Sequence, residues 1–406
     1  MLPERIKQLD VEIAGEPAGQ LLKHSIYEFR YLDSRVDQPS LALLMPPTQP
    51  TYQDGALFAV MDQNLPEGDL YLRLRAMFPK QQLTQMHLLA VVGSNGIGRL
   101  GFRLPGATLP AAPRILNRKA LLATRYTTEV FDELVRAYLS TGAGIAGMQP
   151  KIMVPDRISV PVPTIIVKAA APSYPGLSAN EFMCLTAAGH AGIETPTFDL
   201  SDDGHVLLVD RFDIAADGSR IGFEDIAALM NLRVRDIQSD RKYQGSYQRI
   251  AELMQYLQLP SKNLERFFEQ VAFSIMVRNG DAHLKNFGLL YTSSADCRLA
   301  PMFDVVTTAL YQYARYEGGP ELEDRTLALK LFAGKGRTKA YPSTEELLLF
   351  GSKVCGVAKP QVILARIAEG MQKTLGLATN DQRIPKDLLQ RMREVWDEGM
   401  IYARAQ

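Results

Sequence analysis

The chain has 406 residues, more than one ordinary domain holds, so two or three structural units are expected. Apolar residues make up 46 % and charged residues 22 %, and the formal net charge of +0 gives no case for a nucleic-acid scavenger or a membrane-surface binder, though it leaves room for a local basic patch. Three scattered cysteines, Cys184, Cys297 and Cys355, form no Cys-x-x-Cys pair and argue against both a disulfide framework and a structural zinc site.

Met1 leads into LPERIKQLDVEI, which has neither a basic n-region nor an apolar h-region. No apolar run approaches the roughly 18–20 residues that span a bilayer, so a cytoplasmic protein without membrane association is expected. DVEIAGEPAGQLL alternates apolar and polar residues around Gly15-Glu16-Pro17 and reads as a hairpin, with IYEFRYL a further strand. GALFAVMDQNLPEGDLYLRLRAMF has helical spacing on both sides of a break at Leu65-Pro66-Glu67-Gly68, and LLAVVGSNGIGRLGFRL reads as two short strands about a Gly-rich turn. Residues up to about Ala112 thus form one α+β unit.

The helical stretch TTEVFDELVRAYL then leads to STGAGIAGMQPKIMV, where the pattern changes. Ile152-Met153-Val154 and PTIIVKAA are strand-like. SANEFMCLTAAGHAG is a helix, with Ser178 and Glu181 as a capping box and Gly192 as its stop. HVLLVDRFD is a strand, and the remainder from about Phe223 is mainly helical. In NLERFFEQVAFSIMVRNG the residues Leu264, Phe267, Phe268, Val271, Ala272, Ile275 and Met276 recur at helical intervals, with Asn279-Gly280 at the end. FGLLY and CRLAP suggest a hairpin around TSSAD.

That buried-faced helix runs straight into RNGDAHLKNFGLL, an unusually polar turn between apolar segments. Asp281 follows the helix end, Asn286 stands five residues on, and the strand pair returns the chain to LAPMFDVV with Asp304. Magnesium takes oxygen ligands, keeps several waters and uses one or two carboxylates with nucleotide phosphates. A further carboxylate must orient the attacking hydroxyl, and protein kinases set that base five residues before a metal-binding asparagine. Asp281, Asn286 and Asp304 meet this order, and His283 and Lys285 add donors for phosphate oxygens. Taken singly, Asp281 reads equally as a turn cap and Asn286 as a loop position; the three together favour phosphoryl transfer. A zinc reading of His283 fails for want of a second ligand at suitable spacing.

NGDAHLKNF followed by LAPMFD resembles the HipA family of bacterial serine/threonine kinases, the toxin halves of toxin–antitoxin pairs. The likeness extends over most of the chain: LPEG after an apolar helix, IAGMQPK as the phosphate loop, IIVK as the nucleotide lysine, ANEF as the following helix, VDRFD as the hinge and LALKLFAGKGRTKAY in the helical lobe. The resemblance implies an α+β, protein-kinase-like two-lobed fold. A small N-terminal α+β subdomain (1–112) would precede a β-rich nucleotide lobe (113–215) and a mainly helical lobe (216–406). Asp281 would be the catalytic base, with Asn286 and Asp304 holding Mg2+. ATP would lie against Ala146, Gly147, Met148, Gln149, Pro150 and Lys151 of the loop, Lys168, Asp210, Arg211 and Phe212 of the hinge, and His283, Lys285, Asn286, Phe303 and Asp304. Glu181 would either reach Lys168 or cap its own helix, the second being favoured.

The activity implied is ATP- and Mg-dependent phosphorylation of a protein hydroxyl, on an aminoacyl-tRNA synthetase or another translation factor, with growth restraint as the outcome. A HipB-type helix-turn-helix antitoxin would be the partner, and DNA contact, for instance by the GKGRTK run, would arise only within such a complex. Two departures stand out. The family's inhibitory phosphoserine position reads Gly144 here, with Ser140 and Thr141 nearby, and Pro150 lacks an N–H to offer a phosphate. Two rival readings are a small-molecule, antibiotic-type phosphotransferase and a nucleotide-binding co-repressor partner of a DNA-binding antitoxin.

Overall fold

The computed structural model describes residues 3–33, 39–107, 117–127, 129, 151–154, 163–169, 174–233, 240–314, 321–323 and 325–404. The chain divides into two compact units, each assembled from three segments. Met1–Ala169, Leu208–Lys242 and Gly288–Cys297 make the first; Ala170–Leu207, Tyr243–Phe287 and Arg298–Gln406 make the second.

The first unit begins with the expected hairpin, β1 (Gln8–Ile13) antiparallel to β2 (Glu16–Lys23). Its turn is Ala14-Gly15, with φ 55° and 91°, because a two-residue turn matching the strand twist needs positive φ at both places. Glu16 and Pro17 already belong to β2. Adding β3 (Tyr27–Tyr31), β4 (Thr51–Asp54) and β5 (Leu100–Arg103) gives a sheet ordered β4-β3-β2-β1-β5.

Two helices, α1 (Ala59–Asp62) and α2 (Gly68–Met77), flank the break at Leu65 to Gly68. LLAVV is not a strand but most of α3 (Gln85–Val92). Thr84 caps this helix, its hydroxyl accepting the His87 N–H while His87 Nδ1 accepts the Thr84 N–H. A short apolar run fits strand or helix equally, and the cap decides. α4 (Arg118–Ala123) starts at Asn117, whose side chain accepts the N–H groups of Lys119 and Ala120. The helix expected over TTEVFDELVRAYL lies almost wholly outside the described residues. β6 (Lys151–Val154) and β7 (Ile165–Ala169) pair antiparallel, with Lys151 opposite Lys168.

The second unit opens on α5 (Leu177–His190). The expected Ser178/Glu181 capping box does not form. Gly176, at φ 72°, is the N-cap, the Ser178 hydroxyl donates to the His205 carbonyl at 2.8 Å, and Glu181 is buried within the helix. Gly192, at φ 71°, follows the helix end as expected. β8 (Phe198–Leu200) and β9 (Val206–Asp210) come next, and β9 from Leu208 onward belongs to the first unit.

β10 (Gly222–Asp225) leads into α6 (Ile226–Leu229), and Asp225 caps that helix through the Ala228 N–H. After α7 (Tyr247–Tyr256) comes α8 (Ser261–Met276), the helix foreseen from its apolar period. Its end differs from expectation. Val277 is the C-cap, and Arg278 rather than Asn279-Gly280 takes the left-handed turn, at φ 57°, while the Asn279 N–H donates back to the Ser274 carbonyl. β11 (Gly288–Tyr291) pairs antiparallel with β10. TSSAD is the turn after it, closed by Asp296, which accepts the Thr292 and Ser293 N–H groups.

A short strand, β12 (Arg298–Leu299), and the antiparallel pair β13 (Gln312–Ala314) and β14 (Glu321–Glu323) precede three helices: α9 (Thr344–Leu349), α10 (Pro360–Ala378) and α11 (Lys386–Met400). α8 is buried among them. Phe267, Phe268, Phe273, Phe350 and Trp396 are fully enclosed, and the Phe267 ring meets Phe287 edge-on at 5.3 Å just below the polar turn. The fold is α+β.

Within the first unit, one joint ties the N-terminal sheet to residues 211–225. Arg211 pairs with Asp213 and donates to the carbonyls of Asn95, Gly96 and Pro163, while Asp213 accepts the Gly98 N–H at 2.7 Å. Arg220 donates to the carbonyls of Ser94, Gly96, Gly98 and Leu100. Two buried guanidinium groups are compensated here by a carboxylate and a ring of carbonyl oxygens, the condition for burying such charge.

Candidate active site

In the second unit the polar turn is built on the end of α8. The Asn279 side chain accepts the Asp281 N–H at 3.0 Å, an Asx turn that lifts Asp281 off the helix axis. The Asp281 carbonyl then accepts the His283 N–H at 2.7 Å, and the buried Tyr247 hydroxyl donates to the Ala282 carbonyl at 2.9 Å. A single turn, Leu284–Asn286, follows, with Asn286 Oδ1 accepting the His283 N–H at 3.2 Å. That bond sets which face of the amide carries its oxygen.

The turn separates buried from reachable groups. The Asp281 side chain is 47 % exposed and the His283 side chain 9 %. His283 Nε2 lies 3.9 Å from Asp281 Oδ1, so the imidazole sits beside the carboxylate. Tyr243 completes this corner: its hydroxyl donates to Asp281 Oδ1 at 2.7 Å, and its ring meets His283 edge-on at 5.1 Å.

The segment after Asp304 is lashed to the same turn. Thr308 N–H and its hydroxyl donate to the Arg278 carbonyl, at 3.1 and 3.2 Å, and its Oγ1 accepts the Gly280 N–H at 2.7 Å. Asn180, from α5, grips the adjacent residue on both sides. Its oxygen accepts the Thr307 N–H at 2.9 Å and its amide donates to the Thr307 carbonyl at 3.1 Å. Trp396 Nε1, from α11, donates to Thr307 Oγ1 at 2.8 Å. Asp304 itself has φ 51°, a left-handed conformation uncommon for aspartate and held by this surrounding lattice.

Other residues expected to meet a nucleotide belong to the first unit. Lys168, on β7, is 2 % exposed. Asp210, ending β9, pairs with Arg118. The Arg211 guanidinium is committed to Asp213 and the loop carbonyls, and its N–H donates to the Thr164 carbonyl. The Phe212 ring packs against Phe223 with centroids 5.7 Å apart. Ala146, Gly147, Met148, Gln149 and Pro150 lie outside the described residues, as do Ser140, Thr141 and Gly144, and of Lys151 only the backbone is described.

Three further residues at the turn escape sequence reasoning: Tyr243, Asn180 and Thr308. Only tertiary proximity singles them out. Lys339, in the basic GKGRTK run, donates to the Tyr243 carbonyl at 2.9 Å and lies 5.6 Å from its ring centre, so this lysine serves the turn. Arg337 pairs with Glu346 at 3.4 Å on the surface. Among the described residues no helix is long and apolar enough to cross a membrane, and no three His, Cys, Asp or Glu side chains gather as a metal-binding group.

Residues 9–103 match the HipA N-terminal domain and residues 143–377 the HipA-like C-terminal domain. The chain belongs to the HipA family. HipA from the Shewanella oneidensis MR-1 toxin–antitoxin complex of HipA, HipB and operator DNA shares the fold, with a TM-score of 0.68 at 18 % identity over 98 % of this chain and 96 % of that one. "Putative kinase Y4dM" of Sinorhizobium fredii (strain NBRC 101917 / NGR234) is 29 % identical over 36 % of this chain, an alignment that spans only 38 % of that relative. A "Putative kinase" of Haemophilus influenzae is 25 % identical over 59 % of this chain and 75 % of its own length.

Proposed function

We propose that this HipA-family chain is an ATP- and magnesium-dependent protein kinase that transfers the γ-phosphoryl group to a serine or threonine hydroxyl. One observation carries the reading: Thr308 ties the segment that follows Asp304 to the Arg278–Gly280 backbone, one residue before a half-exposed Asp281. A carboxylate left half exposed on a turn braced this closely is not accounted for by packing alone.

Asp281 is assigned as the base. It accepts the acceptor hydroxyl's hydrogen bond and takes its proton as the oxygen attacks phosphorus. Asn286 and Asp304 offer an amide and a carboxylate oxygen, hard donors that suit magnesium, and the His283 N–H fixes the orientation of the Asn286 amide. Two protein oxygens leave most of the coordination shell to phosphates and water, as magnesium prefers. Bound there, the ion would neutralise charge on the β- and γ-phosphates. Lys285 is assigned to the phosphate oxygens, while the buried His283 is assigned to steadying the base.

In the first unit, Lys168 is the proposed phosphate-binding point charge, and the 146–151 loop and the Asp210–Phe212 backbone are the proposed remainder of the nucleotide site. The division into 1–112, 113–215 and 216–406 is kept as a proposal about role. By analogy with the Shewanella complex, a HipB-type antitoxin is the proposed partner; on the family resemblance alone, a translation factor such as an aminoacyl-tRNA synthetase is the proposed substrate class and growth restraint the proposed outcome. The test is phosphoproteomics after expression of wild type and Asp281→Asn. New phosphoserine or phosphothreonine that depends on Asp281 is expected, and indistinguishable profiles with nucleotide binding intact would overturn the reading.

A further inference from the structure

We infer that Tyr243 is a positioning residue for the transfer proposed above, on which this inference rests: its phenol holds the Asp281 carboxylate in the orientation that receives the acceptor proton. Asp281 is half exposed and sits on a short turn, so the orientation of its carboxylate is set by side-chain partners rather than by burial. A hydroxyl donating to an ionised carboxylate at 2.7 Å is a charge-assisted bond, among the stronger neutral-to-ion contacts. The bond fixes one carboxylate oxygen and with it the plane of the group.

The phenol can do this because it is itself held. Tyr243 ends the single turn Asp240–Tyr243, and its ring lies edge-on to the buried His283. Lys339 donates to the Tyr243 carbonyl at 2.9 Å, and the Lys339 carbonyl in turn accepts the Leu327 N–H at 2.7 Å. Four and five residues on from Tyr243, the N–H groups of Tyr247 and Gln248 donate to the carbonyls of Lys330 and Leu331 at 2.9 and 3.1 Å. The LALKLFAGKGRTKAY stretch therefore braces the tyrosine on one side and, on the other, the start of α7, whose Tyr247 hydroxyl donates to the Ala282 carbonyl. That gives the stretch a task its basic residues did not suggest.

The test uses the full chain, labelled ATP with magnesium, and a serine- and threonine-containing peptide library as acceptor. Wild type, Tyr243→Phe, Lys339→Met and Asp281→Asn are compared for initial rates and thermal midpoints. Tyr243→Phe keeps the ring, its packing on His283 and the Lys339 contact, and loses only the hydroxyl. Its kcat is expected to fall roughly ten- to hundredfold, the worth of one hydrogen bond to an ionised group. Its KM for ATP should stay within about twofold of wild type with the thermal midpoint unchanged, the split that separates positioning from folding. Lys339→Met should lower kcat by a smaller factor. A Tyr243→Phe kcat equal to or above wild type would overturn the inference, the second because it makes the phenol a competitor of the acceptor. A loss that tracks a lowered thermal midpoint would overturn it too. If wild type does not exceed Asp281→Asn, the kinase reading itself falls, a result distinct from a Tyr243→Phe protein that matches an active wild type.

Discussion

In the first unit Glu224 is 2 % exposed, and one of its oxygens accepts the Leu43 N–H at 2.7 Å and the Tyr291 hydroxyl at 2.5 Å. Burial pushes its carboxyl above the ordinary range, and these two donors with the nearby Arg99 charge offset that only in part. An acid raised in this way binds its proton more tightly in the folded chain. Folded stability therefore falls as pH rises from the ordinary carboxyl value through the raised one, and stays lower above it. Glu224→Gln keeps an acceptor oxygen and no longer titrates. Its urea midpoint should vary less between about pH 5 and about pH 8 than that of wild type, and a wild-type midpoint that rises across that range would contradict the assignment. At this scale the sequence was informative about polar groups at fixed offsets along one turn, as for Asp281, His283 and Asn286. It was silent on Tyr243, Asn180 and Glu224, whose partners lie 38, 127 and 67 residues away in Asp281, Thr307 and Tyr291. Nor did it show that the Arg211 guanidinium goes to a buried ion pair.

Among the elements, α5 and α11 act together on the strap that follows Asp304. Asn180→Leu would strip partners from the buried Thr307 N–H and carbonyl, and unfolding in urea should show a loss of roughly 2–4 kcal/mol. α11 also crosses the end of α8 without clearance. A Cβ at Gly399 would stand 1.7 Å from the Met276 carbonyl oxygen, so Gly399→Ala should cost roughly 3 kcal/mol or more by the same measurement. A neutral Gly399→Ala would mean that the helices do not meet there. α8 was legible because sixteen residues keep one period, long enough for a stripe to stand out. α3 was not, because eight mostly apolar residues carry no usable period and the capping box of Thr84 and His87 had to decide. The end of α8 was misplaced for a related reason. An arginine in the left-handed region is held there by its surroundings, and local preference points to the glycine two residues on.

At the scale of the molecule, the chain passes between the two units five times, at Ala169, Leu207, Lys242, Phe287 and Cys297. The proposed nucleotide lysine falls in the first unit, and the proposed base and metal ligands fall in the second. Family likeness spans both, from residue 9 to residue 377, so the order of the motifs along the chain was the strongest signal the sequence held. It could not show that Leu208–Lys242 joins the N-terminal sheet through Arg211, Asp213 and Arg220, since that joint is a matter of buried carbonyls. The division of residues carries a direct consequence. Removing the base should leave nucleotide binding in place, because Asp281 is not among the residues assigned to the nucleotide or the metal. The decisive measurement is transfer from labelled ATP to serine and threonine hydroxyls by wild type and Asp281→Asn, with the ATP-induced rise in thermal midpoint recorded for both. The expected result is an equal thermal shift and a transfer rate lower by roughly a hundredfold or more in Asp281→Asn. Equal transfer by two proteins that bind ATP alike would contradict the assignment of Asp281 and the kinase reading built on it.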